Sequence, residues 1–292
     1  QRIALRLGAC MDFHLSDRVL LVTGGASGIG LAVAEEACRQ GMRVGIADAS
    51  VADLEIARVK LAAMGGLVAA EPLDVRDHAA CNAAIDRIEA SIGPIDCLVT
   101  CAGISRPEPA EMMSNETWDA VIGVNLTGLF FTVREAGKRM LQRQRGAIVN
   151  LASVDGLAGH AARASYAASK HGVIGLSKSL AIEWGRHGIR VNVVAPGPVD
   201  TPLLHRNIPP EHITNAMVDR IPIGRFSTPL EQARACLFLL SDASSYINGA
   251  TLVVDGGLTA GNFTRWGGAD LGSASLLARG LYHSPTAVHP HE

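Results

Sequence analysis

Three polar side chains in the middle of the chain have the types and spacing that acid–base chemistry needs. Tyr166 and Lys170 are four residues apart in a stretch with helical character, so the spacing places them on one face. A free tyrosine has a pKa of about 10, and a neighbouring ammonium favours its phenolate form. Ser153 lies thirteen residues before Tyr166 and could hold a substrate oxygen while Tyr166 exchanges a proton with it. A Tyr-x-x-x-Lys pair alone is more often a surface-helix pair, but Ser153 and the glycine-rich loop described next, taken with the pair, predict a general acid/base site.

A glycine-rich turn near the amino end has the pattern of a phosphate-binding loop. Residues Thr23–Gly30 read Thr-Gly-Gly-Ala-Ser-Gly-Ile-Gly and join an apolar run to a helical segment. Glycines let the backbone approach a ligand closely, and the helix that follows offers free N–H groups to a pyrophosphate. A strand-to-helix turn without a ligand is the alternative. The predicted cofactor contacts in this loop are Gly24, Ser27, Gly28, Ile29 and Gly30.

Asp48 completes a dinucleotide-binding pattern. It follows the second predicted strand, 18 residues beyond Gly30, and the acid that binds the adenosine ribose is expected at about 20. Taken alone, an Asp at this place more often caps a helix. Its carboxylate would accept hydrogen bonds from the ribose hydroxyls and repel a 2′-phosphate. Because Ala49 and Ser50 follow it and the glycine loop has no Lys or Arg, the sequence predicts NAD rather than NADP.

Alternating apolar and helical stretches predict the elements that position these residues. Seven strands are predicted at 18–23, 44–47, 67–70, 97–100, 147–151, 190–195 and 251–254. Predicted helices include 31–40, one capped by Ser50, 117–141, 165–184 and 229–240. Strands that alternate with long helices form right-handed parallel βαβ units. The pattern predicts one α/β domain, a doubly wound, mostly parallel sheet with helices on both faces. Ser153 then lies at the carboxyl edge of the sheet, where ligands bind.

The remaining sequence is interpreted as two extensions and one long loop. Residues 1–11 are predicted to be an amino-terminal extension, 12–257 the NAD-binding domain, and 258–292 a carboxy-terminal extension. The connection from Pro196 to Thr228 contains several further prolines and has the length of a lid or binding element.

Composition and charge exclude several classes of protein. The 292 residues are 48% apolar and 18% charged, and the formal net charge is −2 without a basic block, which argues against nucleic-acid binding. No apolar run approaches the ~20 residues that span a bilayer, so no membrane association is expected. The six cysteines lack CxxC or CxxH spacing, so we expect no metal site and free thiols in a cytoplasmic protein.

From about Asp12 to Gly257 the chain resembles the short-chain dehydrogenase/reductase family. The matching elements occur in the family's order and are Thr23–Gly30, Asp74-Val75, Ala102-Gly103, Asn125, Ser153, Tyr166–Lys170, the segment 196–201 and Asp255-Gly-Gly257. The resemblance implies a Rossmann-like fold and hydride transfer between NAD and a secondary alcohol or ketone. An NADP-linked carbonyl reductase and a cofactor-binding scaffold without turnover are the alternatives. The complete set of catalytic residues argues against the scaffold.

The resemblance also implies a role for each site residue. The catalytic tetrad would be Asn125, Ser153, Tyr166 and Lys170. In the family the Tyr is the acid/base and the Ser polarises the substrate oxygen. The Lys binds the nicotinamide ribose and lowers the Tyr pKa, and the helix that carries the Asn holds a proton-relay water against the Lys. Tyr166 and Lys170 would therefore touch the cofactor. The other implied contacts are Asp74 and Val75 at the adenine, Ala102 and Gly103 at the adenosine ribose, and Pro196, Gly197, Val199 and Thr201 around the nicotinamide amide and phosphates.

One segment departs from the family pattern. Thr100-Cys101 stands where the family usually has Asn-Asn, and that Asn braces the central sheet beneath the cofactor. We expect Thr100 to replace part of this bonding and Cys101 to be a small buried residue without a catalytic role.

The sequence also predicts the kind of substrate and the assembly of the protein. The pocket is expected to involve residues 104–105, 154–157 and the long loop. The loop residues Leu203, Leu204, Ile208, Ile213 and Met217 favour a secondary alcohol or cyclic ketone, and His205 and Arg206 leave an anionic substrate as the less favoured alternative. The helix at 165–184 carries more apolar side chains than one sheet face needs, namely Val173, Ile174, Leu176, Leu180, Ile182 and Trp184. Such a surface predicts a homo-oligomer, which we expect to be a homotetramer.

Overall fold

The apolar runs of the sequence form the strands of one sheet. The computed structural model describes residues 13–207 and 218–261. The strands are β1 Val19–Thr23, β2 Arg43–Asp48, β3 Val68–Pro72, β4 Cys97–Thr100, β5 Gly146–Leu151, β6 Ile189–Pro196 and β7 Thr251–Val254. The helices in the same residues are α1 Gly28–Arg39, α2 Val51–Ala63, α3 His78–Ile92, α4 Asn115–Ile122, α5 Leu129–Arg143, α6 Ala164–Trp184, α7 Pro202–Asn207 and α8 Pro229–Leu240.

The sheet has the predicted doubly wound topology. Its strand order is β3-β2-β1-β4-β5-β6-β7, and every neighbouring pair is parallel. The order reverses between β1 and β4, where the register aligns Thr23 with Thr100; in the next pair, β4 and β5, Thr100 aligns with Asn150. A ligand crevice is expected at the carboxyl ends of the strands on either side of such a reversal. The seven strands and the helices on both faces confirm the predicted Rossmann-like, single-domain α/β fold.

Alternating side chains on the strands divide the core into two layers. Val19 and Leu21 of β1 face a layer that includes α3, α5 and α6, whereas Leu20 and Val22 face α1, α2 and α8. All four side chains are buried, as a central parallel strand requires. The sheet is therefore rigidly held on both faces, and its carboxyl edge is a stable base for a site.

Local capping fixes where two of the helices begin. Ser50 caps α2, as predicted, by accepting from the N–H of Asp53. Thr228 and Glu231 form a reciprocal capping box at the start of α8. Both signals are visible in the sequence because they depend on residues three positions apart.

The structure differs from the sequence prediction at 117–141. This stretch is not one helix, because a π-helical turn at Gly123–Gly128 separates α4 from α5. The region from Pro196 to Thr228 contains α7 and a short turn at Val218–Arg220 rather than loop alone. The predicted extension at 1–11 lies outside the described residues, as does 262–292 of the predicted carboxy-terminal extension. In the described part of the chain, no helix combines the length and apolarity needed to cross a membrane.

Candidate active site

A cleft of about 980 Å³ opens at the carboxyl edge of the sheet. It is lined by Ser153, Tyr166, Lys170 and by every cofactor contact predicted from the sequence: Gly24, Ser27, Gly28, Ile29, Gly30, Asp48, Asp74, Val75, Ala102, Gly103, Pro196, Gly197, Val199 and Thr201. Asn125 is fully buried behind the cleft wall. The fold therefore brings together residues that are up to 177 positions apart in the sequence, from Gly24 to Thr201.

The glycine-rich loop leaves backbone N–H groups available at the start of α1. Ser27 occupies the N-cap position, but its side chain makes no capping hydrogen bond. Gly24 has a φ of +66°, and a Cβ there would lie 2.6 Å from the backbone nitrogen of Ala102. A side chain at Gly24 would push the loop away from the segment that follows β4, so the glycine keeps the two segments in contact. This arrangement suits a pyrophosphate at the helix amino terminus.

The Asp48 carboxylate is fixed at the end of β2. It accepts from the N–H of Ala26 at 3.1 Å and from the N–H of Ser50 at 3.0 Å. Arg76 also lines the cleft, but its guanidinium is paired with Asp74 at 2.6 Å. The negative charge of Asp48 thus remains in the cleft, and no cation of the described residues is hydrogen-bonded to it.

Lys170 lies almost fully buried beside the tyrosine. Its Nζ donates to the carbonyl of Leu151 at 2.8 Å and lies 5.6 Å from the ring centroid of Tyr166. Burial lowers the pKa of Lys170 to about 8. The chain thus holds an ammonium with unused donors next to the predicted acid/base.

The protonation of Tyr166 differs from the sequence expectation. Burial raises the pKa of Tyr166, and the nearby Asp155 carboxylate raises it further. Its hydrogen bond with Ser153 and the charge of Arg163 act in the opposite direction. The expected lowering by Lys170 is not seen: desolvation is the largest influence on this pKa, and Lys170 is not among the groups that shift it. Tyr166 is accordingly a proton donor at neutral pH.

Ser153 is oriented by the backbone that follows it. Its Oγ accepts from the N–H of Asp155 at 3.1 Å and caps a short turn at Val154–Gly156. Because this contact uses a lone pair, the hydroxyl proton of Ser153 is left for another acceptor.

Asn125 links three segments from its place in the π-helical turn. Its Oδ1 accepts from the N–H of Ile104 at 2.8 Å, and its Nδ2 donates to the carbonyl of Ile104 and to Ser169 Oγ. Ser169 in turn donates to the carbonyl of Tyr166 at 2.7 Å. Asn125 therefore positions the loop after β4 against the helix that carries Tyr166.

The unusual Thr100-Cys101 pair has a structural explanation. Thr100 donates to Asn150 Oδ1 at 2.9 Å, and Asn150 donates to Ser177 Oγ at 2.9 Å. This buried chain ties β4 and β5 to α6, which is the bracing that Thr100 was expected to replace in part. Burial raises the pKa of the Cys101 thiol to about 12, so it is not a nucleophile at neutral pH.

Charged residues that sequence reasoning did not assign also line the cleft. Arg163 and His160 lie next to Asp155, with the Arg163 Nη1–Asp155 Oδ2 distance at 3.9 Å and the His160 Nδ1–Asp155 Oδ1 distance at 3.4 Å. The signal that could have found Arg163 is its position three residues before Tyr166, one helical turn from the predicted acid/base.

Some of the residues predicted for the substrate pocket line the cleft, and others do not. The cleft is lined by Ile104, Ser105, Val154, Asp155, Leu203 and Leu204. Gly156, Leu157 and His205 do not line it: Gly156 packs against Lys170, Leu157 faces solvent, and His205 pairs with Asp200 at 2.6 Å. Ile208, Ile213, Met217 and the Arg206 side chain lie outside the described residues.

Comparison with known proteins gives consistent matches along the chain. Residues 24–259 match a family model described as enoyl-(acyl carrier protein) reductase. A D-threitol dehydrogenase from Mycolicibacterium smegmatis is 43% identical over 256 residues, which cover 88% of this chain and 98% of that protein. A gluconate 5-dehydrogenase from Gluconobacter oxydans is 37% identical, covering 85% of this chain and 96% of that protein.

A solved structure supports the same assignment. The structure of levodione reductase is similar with a TM-score of 0.80 and 34% identity, covering 85% of this chain and 99% of that one. These three proteins are named as dehydrogenases or a reductase, and each match covers at least 85% of this chain. The chain belongs to the short-chain dehydrogenase/reductase family and is a nicotinamide-dependent oxidoreductase of CH–OH groups.

Proposed function

We propose that the protein transfers a hydride between NAD(H) and a secondary alcohol or its ketone, with Tyr166 as general acid/base. The observation that supports this most directly is that Ser153, Tyr166 and Lys170 line one cleft together with the glycine-rich loop. Neither the loop nor the three polar residues alone would distinguish an oxidoreductase from a binding protein.

The residues of the cleft fit a nicotinamide dinucleotide. The Lys170 ammonium has three donors, and the carbonyl of Leu151 takes one, so ribose hydroxyls can take others. The uncapped amino terminus of α1 suits the pyrophosphate, and Asp48 suits the adenosine ribose. When bound, the nicotinamide supplies the acceptor or donor of the hydride.

The chain's own residues handle the proton and orient the substrate. The Ser153 hydroxyl, held by the Asp155 N–H, donates to the substrate oxygen and fixes it near Tyr166. In reduction the Tyr166 hydroxyl gives its proton to that oxygen, and in oxidation Tyr166 takes the proton back. Lys170 holds positive charge beside Tyr166, and Asn125 positions the helix through Ser169.

The choice of NAD rests on Asp48. Its carboxylate is anchored by two backbone N–H groups, so it cannot swing away from a 2′-phosphate without losing them. Arg76 is the feature that favours the alternative, an NADP-linked reductase, because it also lines the cleft. Its guanidinium is paired with Asp74, however, and this pairing favours NAD.

We also propose a domain at residues 12–257 and a homotetramer of a cytoplasmic protein. On α6, Gly175, Ser179 and Ile182 are exposed at helical spacing, and Ile182 is 82% exposed. Small residues around one large apolar side chain allow another helix to approach closely. The cysteines of the described residues are all free thiols, as a reducing compartment allows.

Initial rates with NAD and with NADP, using secondary alcohols and ketones, test the proposed function. We expect kcat/KM with NAD to exceed that with NADP by about 100-fold, and Asp48→Ala to shrink this margin by removing the repulsion and the ribose contacts. Asp53→Ala, a neighbouring exposed acid outside the cleft, is the matched control and should keep the margin. Equal use of both cofactors by the native protein would contradict the NAD assignment, and tight NADH binding without turnover would favour the scaffold alternative.

A further inference from the structure

Two oppositely charged side chains stand next to the reacting residues of the cleft. Asp155 follows Ser153 by two residues and fixes its Oγ through a backbone hydrogen bond. Arg163 precedes Tyr166 by three residues, and its guanidinium carbon lies 5.7 Å from the centroid of the Tyr166 ring. Both side chains line the cleft. A substrate held between Ser153 and Tyr166 would therefore present its neighbouring carbon atoms to this charged pair.

Asp155 and Arg163 make only long polar contacts, although both side chains are largely buried. The side chains of Asp155 and Arg163 are 13% and 16% exposed, yet their shortest contact is 3.9 Å, longer than a hydrogen bond. Arg163 reaches Ser105 Oγ at a long 3.4 Å, and His160 approaches the Asp155 carboxylate at 3.4 Å. Buried charges are costly unless they are well hydrogen-bonded. Within the described residues, the carboxylate and the guanidinium thus keep unused acceptors and donors beside each other at the cleft wall.

The space beside the Asp155 carboxylate and the Arg163 guanidinium suits one kind of substrate group. An anion would meet the Asp155 carboxylate, and an apolar group would leave both charges desolvated without partners. A hydroxyl both donates and accepts, so it can donate to Asp155 and accept from Arg163 at the same time. We propose that the Asp155–Arg163 pair is a specificity site for a second hydroxyl, adjacent to the reacting carbon, so that the substrates are vicinal diols or polyols and the matching hydroxyketones. This inference rests on the proposed function, since it takes Ser153 and Tyr166 as the reacting end.

The test compares two alcohols of equal carbon number that differ by one hydroxyl, butane-2,3-diol and butan-2-ol. With NAD saturating, we expect the native enzyme to prefer the diol by about 100-fold in kcat/KM, because a site built to bond a hydroxyl rejects the analogue that lacks it. Arg163→Met and Asp155→Asn should each reduce this preference at least tenfold, chiefly by raising KM for the diol. Arg163→Lys, which keeps a donor and a charge, should restore part of the preference.

Two controls separate this role from a structural one. Arg87→Met removes an exposed arginine outside the cleft and should leave the ratio of the two kcat/KM values near that of the native enzyme. NADH binding, followed by fluorescence, should persist in all variants. Equal kcat/KM for both alcohols in the native enzyme, or an equal loss for both in Arg163→Met and Asp155→Asn, would overturn the proposed specificity while leaving the proposed function intact. Turnover of neither alcohol nor any other secondary alcohol would overturn the proposed function and the inference with it.

Discussion

At the scale of single residues, spacing in the sequence was sufficient to locate the acid/base candidates but not to set their protonation. Tyr166 and Lys170 share a helix face because they are four positions apart, and the structure has them side by side. The pKa of Tyr166 depends instead on burial and on Asp155 and Arg163, which approach it only in the folded chain. A spacing rule contains no information about desolvation, so this expectation was wrong.

The raised pKa of Tyr166 has a consequence for the pH dependence of catalysis. Reduction needs the protonated tyrosine, so it should fall as pH rises through that pKa, whereas oxidation should rise through it, on the alkaline side. Because Asp155 raises the pKa and Arg163 lowers it, Asp155→Asn should move the rising limb for oxidation to lower pH and Arg163→Met to higher pH. Profiles of kcat/KM for a monohydric alcohol at saturating NAD would show this. Shifts of both variants in the same direction would contradict the proposed electrostatics.

At the scale of elements, strands were predicted within one or two residues because continuous apolar runs are typical of central parallel strands. The π-helical turn was not predictable, since Gly123–Gly128 fits an uninterrupted helix equally well. The π-helical turn ends where the chain packs closely against Val75. A Cβ on Gly128 would lie 2.6 Å from Val75 Cγ2. Asn125 reaches Ile104 from within this turn, so one residue of the predicted catalytic tetrad depends on packing that the sequence does not display.

The helix that follows this turn is stabilised by a nearly buried carboxylate. Glu135 is 4% exposed and lies 2.9 Å from His78, 3.1 Å from Arg134 and 3.0 Å from Lys138. Burial raises the pKa of Glu135, but these hydrogen bonds outweigh it and hold the pKa at about 2. A folded pKa below the ordinary value of 4.5 means that the contribution to stability is complete above that value and is lost as pH falls towards about 2.

Glu135→Gln should therefore lower the free energy of unfolding by about 1–3 kcal/mol at neutral pH. The difference from the native protein should shrink as the pH is lowered below about 4.5. Urea unfolding at several pH values measures both effects. Glu55→Gln is the control, because its pair with Arg58 is largely exposed and should contribute little. A destabilisation of Glu135→Gln that is independent of pH would show that charge is not the cause.

At the scale of the whole molecule, the apolar surface expected on α6 is mostly internal. Val173, Ile174 and Leu180 are buried in the chain's own core, and Trp184 packs against Gly137 of α5. The sequence does not distinguish these buried side chains from Ile182, which is exposed. A helix that is buried around most of its circumference shows only a weak periodicity of apolar and polar residues. The prediction of a homotetramer thus rests on a smaller patch than the sequence suggested.

Light scattering on the purified protein measures its assembly. We expect about four times the 30.6 kDa mass of one chain, and Ile182→Glu should shift the population towards smaller species because it places a charge in the contact. Ile56→Glu, at an exposed isoleucine of α2, controls for the added charge alone. A stable monomer of the native protein at micromolar concentration would contradict the tetramer.

The central claim is that Tyr166 exchanges the proton of the substrate oxygen, and one measurement tests it most directly. Tyr166→Phe and Tyr246→Phe each remove a phenolic hydroxyl, one from the cleft and one from a fully exposed ring. With NAD and an alcohol that the native enzyme oxidises, we expect kcat of Tyr166→Phe to fall by about 100-fold or more, while NADH binding persists and Tyr246→Phe behaves as the native enzyme. Turnover of Tyr166→Phe close to that of the native enzyme would contradict the account.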